Sequence, residues 1–164
     1  MKTKNDPVSS ALAHDNSLLI VWDDKYLTNI EIIAKQHKAL VDLINELYQS
    51  CRTGDDDTVN AAFKDALSRS VEYVRFHFSA ELEILARIKY PQYAEHKTQH
   101  DQLVKQILET AQNFSKGKQF VPNAFVRTLK DWVLSHIGYY DKQYAAYVAD
   151  QKKKGLLTDK QITG

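Results

Sequence analysis

A single cysteine, Cys51, is all the thiol this chain contains, which excludes an internal disulfide framework and a thiolate metal site. It fits a reducing compartment, so the cytoplasm is the expected location. Prolines number three and glycines five in 164 residues, so breaks are few and long helices are expected. No apolar run approaches membrane-spanning length. Lys2 and Lys4 near the N-terminus have no apolar core behind them, so a secretory signal is not expected either. Neither charge dominates, with 22 Lys and Arg against 21 Asp and Glu, and there is no basic field for nucleic acid. Internal repeats and low-complexity segments are absent.

What remains is a 43% hydrophobic chain long enough to bury a proper core in one domain. Residues 1–17 are polar and mixed, include His14, and read as a flexible N-terminal tail. Leu18 to Leu27 form a short apolar and aromatic run, expected as an extended arm across the domain. Helical periodicity then begins, and residues 18–150 read as an all-α, up-down-up-down antiparallel four-helix bundle. The first stripe is Ile30, Ile33, His37, Leu40, Ile44 and Leu47. Gly54 with Asp55, Asp56 and Asp57 ends that helix and starts the next. The second, about 58–88, carries Phe63, Leu67, Ser70, Val74, His77, Glu81, Ile84 and Ile88. Pro91 breaks the chain, and the third, about 92–116, carries Tyr93, His96, His100, Leu103, Ile107 and Phe114. A fourth, about 123–151, is expected to turn Phe125, Leu129, Trp132, His136, Tyr140, Gln143 and Tyr147 inward. Residues 151–164 read as a C-terminal tail, or at most one docked turn.

Two pairs stand out on these helices. His77 precedes Glu81 by four residues, and His96 precedes His100 by four, so each pair presents two ligating groups on one helix face. A lone pair of this kind is most often a surface pair or a satisfied core histidine. Here five of the six histidines, His37, His77, His96, His100 and His136, fall on core-facing stripes together with Glu81. Burying that many unpartnered imidazoles beside a carboxylate would cost several kcal/mol each, on the order of the whole stability of a domain. A bound metal removes the cost. Imidazole with carboxylate suits iron, zinc or copper. Five histidines exceed one ordinary site, and two bridged irons would use them all if a second bridging carboxylate came from Asp141. Asp141 follows His136 by five residues, about 140° around an ideal helix, so a π-type widening is expected between Trp132 and Tyr144.

These residues also resemble the motifs of the bacterial hemerythrins, over about residues 20–147. W-x-x-x-Y appears as Trp22 and Tyr26, and Q-H-x-x-L as Gln36, His37 and Leu40. H-F-x-x-E appears as His77, Phe78 and Glu81. Y-P-x-x-x-x-H-x-x-x-H appears as Tyr90, Pro91, His96 and His100, and W-L-x-x-H-I-x-x-x-D as Trp132, His136, Ile137 and Asp141. Departures from the pattern are Leu82 for a second Glu, Ala34 for Asp, Val133 for Leu and the lack of a Gly near Asn29. None removes a ligand. The resemblance implies two non-haem iron ions (Fe2+/Fe3+) with an oxo or hydroxo bridge. His96, His100 and His136 would hold one iron and His37 and His77 the other, with Glu81 and Asp141 bridging. The open position would belong to the two-histidine iron, under an apolar oxygen pocket of Phe78, Trp132, Val133 and Ile137.

The implied function is reversible dioxygen binding, for carriage, storage or delivery, without enzymatic turnover. Delivery would require an oxidase or other oxygen-consuming protein as partner. The alternatives are a di-iron enzyme acting on peroxide, nitric oxide or an organic substrate, and an oxygen or iron sensor module. Oxygen-activating bundles typically use paired Glu-x-x-His motifs, and this sequence has no Glu-x-x-His.

Overall fold

Helix α1 (Glu31–Thr53) shows how the sequence builds its frame. Ile33, His37, Leu40, Ile44 and Leu47 return to one face at steps of three and four, and each is at most 2% exposed. Every aliphatic side chain so removed from water contributes about 2 kcal/mol. In the computed structural model, which describes residues 18–163, three further helical rods stand beside α1. A Cβ on Gly54 would meet the Ser50 carbonyl oxygen at 2.7 Å. That same oxygen accepts the Gly54 N–H, so the close of α1 requires glycine.

The Asp55 carboxylate accepts the Thr58 N–H at 2.8 Å and starts α2 (Asp56–Tyr73), whose first turn carries Asp56 and Asp57. This second rod passes through a π-helical turn, Val74–Phe78, into α3 (Ser79–Arg87). Lys89 takes a left-handed φ of 54° ahead of Pro91, and the chain reverses into α4 (Tyr93–Ser115). The fourth rod is α5 (Val121–Trp132), a second π-helical turn, Val133–Tyr140, and α6 (Asp141–Lys153). Each rod packs on the next, and α5 returns to α1, giving the antiparallel four-helix bundle.

The π turn in the fourth rod corrects the expected stripe beyond His136. Tyr140, Gln143 and Tyr147 are not fully buried; Asp141, Tyr144 and Val148, each one residue later, are. One extra residue in a turn advances the buried face by about 100°.

Before α1, residues 18–30 form the arm, with a 3-10 turn at Asp24–Tyr26. Asn45 fastens it, accepting the Leu19 and Ile20 N–H groups at 3.0 and 2.9 Å and donating to the Ile20 carbonyl at 2.8 Å. Lys142 donates to the Leu27 carbonyl at 2.6 Å. Three hydrogen bonds at one buried amide predict that Asn45→Ala lowers stability by about 3 kcal/mol, read from the urea midpoint. An unchanged midpoint would mean that the arm adds nothing to the bundle. Residues 1–17, with the expected tail and His14, lie outside the described residues. At the other end a short helix, α7 (Asp159–Thr163), docks through Ile162, which is 4% exposed.

Candidate metal centre

Each rod delivers its share of one cluster. His37 comes from α1, His77 from the first π turn and Glu81 from α3, His96 and His100 from α4, His136 from the second π turn, and Asp141 from the first turn of α6. All seven are at most 2% exposed. The His77 and Glu81 pair and the His96 and His100 pair face each other because the chain reverses at residues 88–92.

The donor atoms form two groups that share Glu81: His96, His100 and His136 with Glu81, and His37 and His77 with Glu81, each within 4.8 Å. Glu81 Oε2 lies 3.0 Å from the Nε2 atoms of both His96 and His100, and 3.8 Å from that of His77. Asp141 reaches across as well, with Oδ2 3.2 Å from His37 Nε2 and Oδ1 3.1 Å from His136 Nε2. The Nε2 atoms of His100 and His136 are only 3.1 Å apart. Many of these approaches lack hydrogen-bond geometry. His37 Nε2, His77 Nε2, Glu81 Oε1 and both Asp141 oxygens are buried without a hydrogen-bond partner among the described residues. Lone pairs that converge without pairing aim at a shared point, as the donors of a cation do.

Charge leads to the same conclusion. Two fully buried carboxylates have only imidazoles as ion-pair partners among the described residues, with no Lys or Arg beside them. Burial raises the Glu81 pKa, but the surrounding histidines outweigh it and hold the carboxyl well below its usual range. Asp141, against both burial and the Glu81 charge, is lowered to about 2 by His136 and His37. Burial takes His77 down to about 3, so its imidazole is neutral and able to ligate. Its Nδ1–H donates to Gln36 Oε1 at 2.9 Å, which leaves the Nε2 lone pair facing the cluster. The residues therefore fit a multivalent cation, and the donor set suits iron better than a hard alkaline-earth ion.

The four residues expected as pocket lining are all buried. Phe78 stacks on His100 at 3.7 Å and Trp132 on His136 at 3.9 Å, both nearly parallel. Val133 and Ile137 are 0% exposed. A recess of about 230 Å³ between α1 and α2 reaches Gln36, Tyr73 and His77 from the surface. A groove of about 920 Å³ lies elsewhere, between α1, α6 and α7, and none of the seven donors lines it. Two site residues were not singled out by sequence reasoning. Tyr73 stacks on His77 at 4.5 Å, and Tyr144 meets His96 edge-on at 5.7 Å. Tyr73 stands four residues before His77, the same one-turn step as His77 to Glu81, and that spacing was a usable signal.

Comparison with known proteins agrees with this arrangement. The family described as "Hemerythrin HHE cation binding domain" matches residues 28–148. A bacteriohemerythrin of Methylococcus capsulatus is 31% identical over 127 residues, covering 77% of this chain and 94% of that one. A bacteriohemerythrin of Stenotrophomonas maltophilia is 28% identical over 130 residues, covering 79% and 82%. A crystal structure of wild-type hemerythrin, 28% identical, superposes with a TM-score of 0.67 over 78% of this chain and 96% of that one. With the match running through most of the bundle, and a relative spanned nearly end to end, the chain belongs to the hemerythrin family.

Proposed function

We propose that the protein binds dioxygen reversibly at a non-haem di-iron centre, as a carrier or store rather than an enzyme. The observation that carries this reading is the pair of buried donor groups joined through Glu81, with Asp141 against them: five imidazoles and two carboxylates that, among the described residues, have no basic side chain to balance them. His96, His100 and His136 would hold one iron and His37 and His77 the other, with Glu81 and Asp141 shared between them. When bound, the iron pair supplies the electrons for reversible dioxygen binding. The chain's own part is to hold, orient and keep dry. Gln36 fixes the ring of His77, and Phe78 and Trp132 clamp the rings of His100 and His136. Val133 and Ile137 exclude water from the same space.

A carboxylate-poor donor set favours carriage over oxygen activation. Dioxygen is then the ligand, and in delivery an oxygen-consuming protein such as an oxidase would be the recipient. Among the described residues no helix is long and apolar enough to cross a membrane. Half-buried Cys51, a free thiol, is in keeping with a cytoplasmic setting.

The test is iron quantification with a visible spectrum of the reduced protein before and after air. Two irons per chain and an absorption that appears with air and fades on its removal are expected. One tightly held zinc and no iron, after expression in iron-replete cells, would overturn the assignment.

A further inference from the structure

The wall around the cluster is not wholly apolar. Tyr73 lies nearly parallel to His77, with ring centroids 4.5 Å apart and planes at 19°, and meets Phe78 edge-on at 5.7 Å. Trp132 packs on the same Phe78, at 5.6 Å. Both bring a polar atom inside: the Tyr73 hydroxyl and the Trp132 indole nitrogen are buried with no hydrogen-bond partner among the described residues. A buried donor without an acceptor is costly, and native structures rarely leave one without a reason.

The two groups can satisfy each other only in part. An indole N–H donates and does not accept, whereas a phenol does both. The Trp132 N–H lies close enough to Tyr73 to favour a negative phenolic oxygen, though short of good hydrogen-bond geometry. If the indole donates to that oxygen, the phenolic O–H is still left with nothing to donate to. A phenol is ordinarily protonated at neutral pH, so Tyr73 offers an O–H. It is a neutral donor in a dry space, against the face of one of the two histidines of the smaller donor group.

We infer that Tyr73 is the ligand-selecting residue of the centre: its hydroxyl donates to an acceptor atom of a small ligand lodged beside His77, while the Trp132 N–H steadies the phenolic oxygen from behind. The inference rests on the di-iron reading of the cluster. It assigns the pocket a preference for ligands that offer an acceptor, among them dioxygen and small linear anions, and it gives the missing partner of the Tyr73 hydroxyl a chemical identity.

The experiment uses the full-length, iron-loaded, oxidised protein and sodium azide as the probe anion. Wild type, Tyr73→Phe, Trp132→Phe and the double variant are compared for iron content, azide affinity by visible titration, and melting temperature of the metal-free form. Tyr73→Phe keeps the ring and removes only the hydroxyl. We expect two irons in wild type and in Tyr73→Phe, and an azide Kd about tenfold weaker in Tyr73→Phe; the Trp132 variants are compared at equal iron content, because Trp132 also stacks on His136. Trp132→Phe should weaken azide less, and the double variant should match Tyr73→Phe, because the indole acts through the phenol. Metal-free Tyr73→Phe should melt no lower than wild type, since the lost O–H had no acceptor among the described residues. Unchanged azide affinity at full iron content would overturn the inference. So would a Tyr73→Phe protein that loses iron and melting temperature together, which would make Tyr73 a packing residue. Wild-type protein with fewer than two irons would instead bring down the di-iron reading beneath it.

Discussion

Replacing Glu81 by alanine should leave a folded bundle that holds no iron pair. Glu81 is the single residue common to both donor groups, with one oxygen 3.0 Å from His96 and His100 and 3.8 Å from His77, and the other without a hydrogen-bond partner among the described residues. Its loss removes a donor from each group at once and leaves five imidazoles with one carboxylate. Changing a residue that merely orients a metal ligand costs about 10–100-fold in affinity, and removing a shared ligand should cost more. Iron per chain should fall from two to below one, and the spectral response to air should disappear.

Glu81→Gln separates coordination from packing. The amide keeps the volume and withdraws the charge, so the iron loss should be nearly as complete. The metal-free bundle should keep its fold, because the amide fills the same volume and its oxygen can still accept from the His96 imidazole. Two irons and an unaltered spectrum in Glu81→Ala would show that the cluster is not built around this residue.

How much of this could be read from the residues differs along the chain. Where the helices are regular, period and burial agree: Ile33, His37, Leu40, Ile44 and Leu47 in α1, and His96, His100, Leu103 and Ile107 in α4, are all buried. Turn chemistry was equally legible at Gly54 and Asp55, where a steric requirement and a cap coincide. The widening before Asp141 was foreseen from chemistry, since a carboxylate five residues after His136 cannot otherwise face the same point. Its consequence downstream was missed. A stripe continued at 3.6 residues per turn runs to Tyr140, Gln143 and Tyr147, and the inserted residue moves burial to Asp141, Tyr144 and Val148. The π turn at Val74–Phe78 had no such cue, because His77 and Glu81 already stand one ordinary turn apart. Tyr73, the last residue of α2, stands immediately before that turn. An aromatic residue at helical spacing is usually core filling, so the one-turn step to His77 is a weak signal, and the Tyr73 hydroxyl, unpartnered among the described residues, is the stronger one.

Stripped of metal, the protein should become acid-labile in a window set by His77. Burial lowers that imidazole from 6.5 to about 3, so the folded chain refuses a proton that the unfolded chain accepts. Between pH 6.5 and about 3 the unfolded state therefore binds more protons, and stability falls as pH falls. At about 1.4 kcal/mol per pH unit for one proton, His77 alone withdraws about 5 kcal/mol across the window. Burial lowers His100 too, which adds to the slope with the same sign. Burial would lower His96 as well, but its hydrogen bond to Glu81 and the carboxylate charges outweigh it and raise the pKa. Its stabilising contribution is thus complete below pH 6.5 and is lost as pH rises through the folded value. Glu81 and Asp141, both held below their ordinary values, contribute above those values and lose that contribution as pH falls toward them. The metal-free protein should therefore be most stable near neutrality and unfold at progressively lower urea as the medium is acidified. Iron occupies the same lone pairs, so the loaded protein should stay flat until protons displace the metal. His77→Leu, assayed without metal, should reduce the slope by about 1.4 kcal/mol per pH unit. An unchanged slope in that variant would mean that His77 takes up its proton in the folded state, and that the pocket is wetter than its burial implies.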